Sequence, residues 1–172
     1  MSKAKETPKK TIPSKFTADE RKKMCTLAWI AGAAVSVSDQ VGGVKAEARE
    51  VEALRRAIAE AFTAFQLKTN ENLSGEEPSV FDYDKAESLL EPAAKEVLAI
   101  LAAKETPDNA DVYKKGVLDV AWQVAAAFGA GFLGRGEAVS ATESAAIDKV
   151  ARALEATQLL DAVKASNAGK KK

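Results

Sequence analysis

The chain has 172 residues, about the length of one domain, and its apolar share of 47% is dominated by alanine, the best helix former. It contains no histidine, which removes the commonest general base near neutral pH and the commonest metal ligand. Catalytic sets of the Ser-His-Asp or Cys-His type are thereby excluded. The single cysteine, Cys25, cannot form an internal disulfide and fits a cytoplasmic protein.

The charges sum to zero but are unevenly placed along the chain. Residues 1–23 hold eight Lys/Arg and three Asp/Glu, a net of +5, and residues 164–172 hold four Lys and no acid, so the remainder carries −9. A nucleic-acid-binding domain normally carries its positive charge on a folded face, so this pattern argues against specific nucleic-acid binding. It predicts disordered basic tails at 1–15 and 166–172 around a single helical domain at 16–165. The tails could make weak contact with a membrane surface.

The first two predicted helices are separated by Gly42-Gly43. The first begins at a capping box, Thr17-Ala-Asp-Glu20, and runs to about Ser38. The second begins near Val44 and has one apolar stripe at steps of three and four residues, which indicates an amphipathic helix. The stripe consists of Val44, Ala48, Val51, Leu54, Ile58, Ala61, Phe62 and Phe65.

Two long apolar runs raise the question of a membrane span. The run Met24–Ser38 has only about 15 residues, short of the roughly 20 that a membrane-spanning helix needs. The run 117–133 is interrupted by Asp119 and Gln123. Both are therefore predicted to be central helices of a water-soluble core, with no transmembrane segment.

Helical signals return after a polar loop at 68–80. They begin at Asp82, and Pro92 is predicted either to stand in the first turn of a new helix or to kink a continuing one. Thr106-Pro107 is a favourable helix start, and the helix it opens is predicted to end at a group of glycines from Gly129. A second capping box, Ser140-Ala-Thr-Glu143, opens the last predicted helix. The sequence therefore predicts an all-α, compact bundle of five to six helices.

The chain shows an internal similarity at an offset of 95 residues, between 28–54 and 123–149. In each copy an alanine-rich helix with a nearby tryptophan leads through a glycine-containing turn to a valine and an amphipathic helix. The tryptophans are Trp29 and Trp122, and the valines are Val44 and Val139. The pattern predicts two pseudo-repeated helical hairpins that share one core.

The first turn carries Ser38-Asp39, Gly42-Gly43, Val44-Lys45 and Glu47, and the second carries Val139-Ser140 and Glu143. These residues resemble the TerB-like (tellurite-resistance) helical family, whose turn reads Ala-Asp-Gly-x-Ile-Ser-x-x-Glu. The resemblance covers about half the chain and implies an all-α domain with acidic residues that could bind a divalent ion. Two extra residues lengthen the first turn, and Gly134 stands where the second turn would have its aspartate.

Asp39, Glu47 and Glu50 form a candidate metal site. Carboxylates before the turn and on the first turns of the next helix could converge on a cation of the Ca²⁺ or Mg²⁺ type. In the alternative interpretation, Asp39 caps the turn and the glutamates stabilise the positive end of the helix dipole. No other cofactor is indicated.

Two further patterns could suggest binding sites. Seven acidic residues between Glu71 and Glu91 lack the spacing of an EF-hand loop, so they predict a solvated surface that could dock a basic partner or one of the protein's own tails. The glycines around Phe128 fit neither a P-loop nor a dinucleotide fingerprint and indicate a helix end.

The expected function is that of a non-enzymatic TerB-like interaction or stress-response module with a protein partner, able to form a homodimer and to bind a divalent ion weakly. The alternative is a structural or accessory subunit of a larger assembly with no metal site. An enzyme that uses carboxylates alone has little support, because nothing places two of them in an apolar cleft.

Overall fold

The computed structural model of the protein describes residues 14–38, 48–73, 78, 82–129 and 139–168. These residues form an all-α bundle of six helices with no strand among them. In chain order the helices are α1 (Ala18–Ser38), α2 (Ala48–Thr69), α3 (Ala86–Lys104), α4 (Pro107–Gly129), α5 (Ala141–Ala153) and α6 (Leu160–Ala168). Short 3₁₀ turns at Tyr83–Lys85 and Thr157–Leu159 precede α3 and α6.

The predicted capping residues begin three of these helices. At α1, the Thr17 backbone N–H donates to Glu20 Oε2 at 2.7 Å, and the Glu20 backbone N–H donates to Thr17 Oγ1 at 3.1 Å. Ser140 and Glu143 make the same reciprocal pair at α5. Each capping box satisfies backbone donors that the first helical turn leaves unpaired. Thr106 Oγ1 accepts from the Asn109 backbone N–H at the start of α4.

Helix α1 is the centre of the bundle, with contacts to α2, α3, α4 and α5. Its buried residues are almost continuous from Met24 to Ser36 and include Cys25 and Trp29. The second tryptophan, Trp122, is only partly buried and packs against the core from α4. Because α1 is covered on most sides, its apolar residues do not form the single stripe of a surface helix.

Helices α2 and α4 make the most extensive contact among the described helices, and they pack antiparallel. The rings of Phe65 and Tyr113 meet edge to face, with centroids 5.8 Å apart. One turn further along, a Cβ placed on Gly116 would lie 3.3 Å from Ala61 Cβ, so a small residue is needed there. The α2 stripe predicted from the sequence faces this interface, with Leu54, Ile58, Ala61, Phe62 and Phe65 buried and Val51 partly buried.

Helix α3 passes through Pro92 without ending, which settles the choice left open by the sequence in favour of one continuing helix. It lies antiparallel to α1, since Lys104 contacts Glu20 near one end and Ala86 packs with Ala33 and Ala34 near the other. Leu90, Ala94, Val97 and Leu101 are its main buried side chains.

The sequence did not predict helix α6, which extends to Ala168, three residues beyond the predicted domain boundary at 165. It packs on α4, where Asn167 Nδ2 donates to Asp119 Oδ1 at 2.9 Å. The two predicted hairpins correspond to α1 with α2 and to α4 with α5. Helix α2 packs on α4, and α5 contacts α1, so the second helix of each hairpin contacts the first helix of the other. Two pseudo-repeated hairpins would give this arrangement; residues 39–47 of the first turn and 130–138 of the second lie outside the described residues.

Candidate functional site

The predicted metal-binding residues fall where the structure gives no side-chain description. Asp39 and Glu47 lie outside the described residues, and of Glu50 only the backbone is described, within α2. Within the described ranges, no group of three Asp, Glu or Cys side chains is placed to hold a metal ion. The site for a Ca²⁺ or Mg²⁺ ion therefore stays a prediction.

The acidic stretch from Glu71 to Glu91 does not form one continuous surface among the described residues. Glu71 is buried, with an exposed fraction of 8%, and accepts hydrogen bonds from the Ser14 hydroxyl and from the Lys15 backbone N–H. Glu87 forms an ion pair with Lys149 of α5. One acid of the stretch thus contacts the segment that precedes α1, through a hydroxyl and a backbone N–H; docking of a basic partner stays a prediction.

An open groove with a volume of about 330 Å³ lies between α1 and α3 in the described part of the chain. Its floor is largely apolar and its rim is charged. Ile30 on α1 and Leu89, Pro92 and Ala93 on α3 provide apolar lining, Thr26 adds a hydroxyl, and Asp19, Lys22, Lys23 and Glu96 stand around it. We call this surface the α1–α3 groove.

Leu89 gives the α1–α3 groove its exposed apolar surface. Its exposed fraction is 40%, and Leu67 on α2 is the other large apolar side chain exposed to this degree among the described residues. Leu90 is buried in the core, whereas Leu89, about 100° away around the helix, is exposed. The groove therefore presents an apolar side chain that the bundle itself does not cover.

Ion pairs hold one end of the groove. Lys23 Nζ lies 3.2 Å from Asp19 Oδ2 on the same helix and 3.2 Å from Glu96 Oε2 on α3, so it links the two walls. These bonds, first to Asp19 and then to Glu96, raise the pKa of Lys23 above its ordinary value. Lys22, beside it, is exposed and has no ion pair with any described residue.

Pro92, which lines the groove, removes one backbone donor from α3. A proline has no backbone N–H, so the carbonyl oxygen of Ser88, four residues earlier in α3, lacks the helical donor it would otherwise receive. Ser88 is exposed, so this carbonyl can accept from water or from a bound group.

A second polar cluster lies at the end of the bundle where α1 begins. Lys104 Nζ is 2.5 Å from Glu20 Oε2 and 2.9 Å from the backbone oxygen of Lys15. The bond from Lys104, followed by the Thr17 backbone N–H, lowers the pKa of the Glu20 carboxyl. The ammonium groups of Lys15 and Lys104 lie 5.7 and 5.9 Å from the centroid of the buried Phe16 ring.

Two buried groups with reactive chemistry are both held in their neutral forms. Cys25 Sγ donates to the backbone oxygen of Leu73 at 2.7 Å, and burial raises the pKa of its thiol to about 11. Tyr113 Oη donates to the backbone oxygen of Met24 at 2.7 Å, and burial raises the pKa of its hydroxyl well above the ordinary value. The buried Cys25 thiol is therefore a poor nucleophile at neutral pH.

A smaller cavity of about 170 Å³ lies between α1, α3 and α5, lined by Leu90, Ala146 and neighbouring small side chains. Glu87 and Lys149, an ion pair, are part of its lining. It contains no unpaired buried charge that would fix a ligand in place. The α1–α3 groove is the better candidate for a binding site because it is larger and its apolar floor is open.

None of the groove residues was predicted as a site from the sequence. The available signal was the pair Leu89-Leu90, since a helix with a single apolar stripe seldom buries two adjacent residues, next to a proline inside a helical pattern. The position of the groove depends on how α3 packs against α1, and helical periodicity does not give that information.

Comparisons with protein-family models, with curated proteins and with solved structures found no significant match. They leave the TerB-like resemblance neither supported nor contradicted. No helix in the described part of the chain is both long enough and apolar enough to cross a membrane.

Proposed function

We propose that the protein is a non-enzymatic helical interaction module of the TerB-like kind, and that it holds an amphipathic helix of a partner protein in the α1–α3 groove. The observation that carries this proposal is the apolar floor of the groove, in which Leu89 remains 40% exposed. Exposed apolar surface bordered by polar groups commonly marks a site of protein interaction.

The shape of the groove favours a helix as the bound element. Its walls are two antiparallel helices, and a third helix can place side chains into the trough between them. Along α1 the lining runs from Asp19 to Ile30, a rise of eleven steps and so about 16 Å at 1.5 Å per step. That length accommodates about three helical turns, with apolar anchors at steps of three and four residues.

The charges of the rim favour an acidic residue on the partner. Lys22 is exposed without an ion pair in the described structure, whereas Lys23 is already bound to Asp19 and Glu96. An acidic side chain beside the partner's apolar anchors would pair with Lys22. Complementary charge of this kind favours correct orientation and fast association more than raw affinity.

The test uses two exposed leucines as site and matched control. A photo-crosslinking amino acid is introduced at Leu89 in one variant and at Leu67, which is 81% exposed on α2, in the other. In native cells we expect a crosslink to one partner protein from position 89 and none to that partner from position 67. Peptide mass spectrometry should map the crosslink to an amphipathic helix, and Leu89→Lys should abolish binding of that helix.

Two results would count against the proposal. Equal crosslinking from both positions would show non-specific contact, and no crosslink from position 89 would remove the groove as the interface. A crosslink to a second copy of this chain would instead identify the groove as a homodimer interface, and sedimentation would then show the dimer. A partner bound through another surface would favour the alternative of an accessory subunit in a larger assembly.

The cytoplasmic setting and the weak binding of a divalent ion are further parts of the proposal. The first rests on the single, unpaired cysteine. The second rests on the candidate residues Asp39, Glu47 and Glu50 in the sequence. Neither is needed for the groove to bind a helix, so each can fail without affecting the interaction proposal.

A further inference from the structure

We propose that residues Ser14–Thr17 form a latch over one end of the bundle, and that opening of this latch exposes the thiol of Cys25. The proposal is independent of the α1–α3 groove. It rests on the contacts of the latch, on the position of Glu71, and on the contact between Cys25 and the segment that follows Glu71.

The latch is fastened to Glu71 by two hydrogen bonds. The Ser14 hydroxyl donates to Glu71 Oε2, and the Lys15 backbone N–H donates to Glu71 Oε1 at 3.1 Å. The same Ser14 Oγ accepts from the Phe16 backbone N–H at 3.1 Å, which fixes the turn of the latch. Because Glu71 is only 8% exposed, these donors supply much of the hydrogen bonding that its carboxylate loses when it leaves water.

An ion pair and a hydrogen bond also hold the latch at the end of α3. Lys15 Nζ lies 2.7 Å from Glu105 Oε1, and the Glu105 side chain is fully covered. The angle of this contact is not that of a hydrogen bond, so Lys15 compensates the charge of Glu105 without fully satisfying the oxygen. Lys104, which is bound to Glu20, also donates to the Lys15 backbone oxygen.

Only one large apolar side chain anchors the latch. Phe16 is 2% exposed, and the remaining fastenings are polar contacts made partly by exposed groups such as Ser14 and Lys15. Segments with few buried apolar contacts open locally at a lower free energy than the whole domain. The latch is therefore expected to open without unfolding of the bundle.

Glu71 connects the latch to Cys25. The chain continues from Glu71 to Leu73, which is 1% exposed and whose backbone oxygen accepts from Cys25 Sγ. Segment 71–73 is thus held by the latch on one side and covers the thiol on the other. When the latch opens, Glu71 loses two donors and becomes free to move toward water, which takes segment 71–73 away from Cys25.

In the closed state the thiol is protected both sterically and chemically. Cys25 is 3% exposed, and its apolar surroundings disfavour the thiolate, the form that reacts. In the open state the thiol would meet water and recover a more ordinary acidity. The rate at which a thiol reagent modifies Cys25 under native conditions would then report the population of the open latch.

The experiment measures the reaction of the full chain with the disulfide reagent 5,5′-dithiobis(2-nitrobenzoate), together with the free energy of unfolding from urea titration. The test variant is Glu71→Gln, which weakens both bonds to the latch. The control is Glu143→Gln at the second capping box, another buried carboxylate that does not touch the latch. Ser14→Ala serves as a milder latch variant in case Glu71→Gln folds poorly.

We expect Glu71→Gln to react about tenfold to a hundredfold faster than wild type, the effect on an equilibrium of losing a hydrogen bond to a charged group. This increase in reaction rate should be larger than the loss in the free energy of unfolding would explain. For Ser14→Ala, the part of the rate increase that the loss of stability does not explain should be smaller. Glu143→Gln should react only as fast as its global stability predicts. If both latch variants also follow global stability, or react at the wild-type rate, the latch does not control Cys25.

Discussion

At the scale of single residues, the buried thiol of Cys25 links protein stability to pH. Its pKa is raised from 9.0 to about 11 in the folded state by burial, so the folded protein holds its proton more tightly than the unfolded chain does. Stability from this group is complete below pH 9 and is lost as the pH rises from 9 to 11. Relative to Cys25→Ser, we expect wild type to lose about 2–3 kcal/mol across that range.

The measurement is urea unfolding of both proteins between pH 7 and pH 11. Serine keeps a donor for the Leu73 carbonyl but does not ionise in this range, so titrating groups that do not interact with Cys25 cancel in the difference. The two stability curves should be parallel below pH 8 and converge or cross above pH 9. Curves that stay parallel to pH 11 would show that the folded protein does not hold the thiol proton more tightly.

At the scale of helices, the approach of α1 to α2 and α4 depends on Gly32. A Cβ placed there would lie well inside contact distance of Leu54 Cδ1, and 3.4 Å from a methyl group of Val120 and of Val124. Because Leu54 is 2% exposed, it has little room to move away. We expect Gly32→Ala to destabilise the protein by about 1–3 kcal/mol through overpacking, even though alanine improves helix propensity by about 1 kcal/mol.

Gly116→Ala provides the contrasting case in the same experiment. Its new methyl group would lie 3.3 Å from Ala61 Cβ, a mild conflict that the gain in helix propensity should roughly offset. Shortening the clashing side chain in Gly32→Ala/Leu54→Ala should cost less than the two single changes added together, a coupling that a double-mutant cycle measures. Additive losses would place the strain elsewhere than between Gly32 and Leu54.

The helix starts could be predicted from the sequence because their causes are local. Thr17 with Glu20, and Ser140 with Glu143, satisfy backbone donors within one turn, and the structure contains both reciprocal pairs. Helix α6 has nine residues and depends on packing against α4, so its own pattern is too short to indicate it. The groove and the latch depend on contacts between residues such as Lys15 and Glu105, 90 positions apart, which periodicity does not reveal.

At the scale of the whole molecule, several ion pairs in the described part of the chain join segments that are far apart in sequence. Lys15 and Lys104 meet acids at the start of the bundle, and Lys149 of α5 meets Glu87 of α3. An exposed pair such as Lys149 with Glu87 contributes little stability by itself. The combined effect of the pairs is to fix which helices lie side by side, since each pair joins elements that the apolar core alone could accommodate in several registers.

Binding of a divalent ion would act on the stability of the whole domain, so thermal unfolding tests the predicted site at Asp39, Glu47 and Glu50. An ion at 100 times its dissociation constant stabilises a folded protein by about 2.7 kcal/mol, which for a domain of this size raises the Tm by roughly 5–10 °C. If Ca²⁺ or Mg²⁺ binds there, wild type should show this rise over EDTA, Asp39→Ala should lose it, and Asp84→Ala, at an exposed acid before α3, should keep it. An unchanged Tm with every ion would remove the metal site and leave the module as a purely protein-binding one. A rise that Asp39→Ala retains would place the ion at other ligands.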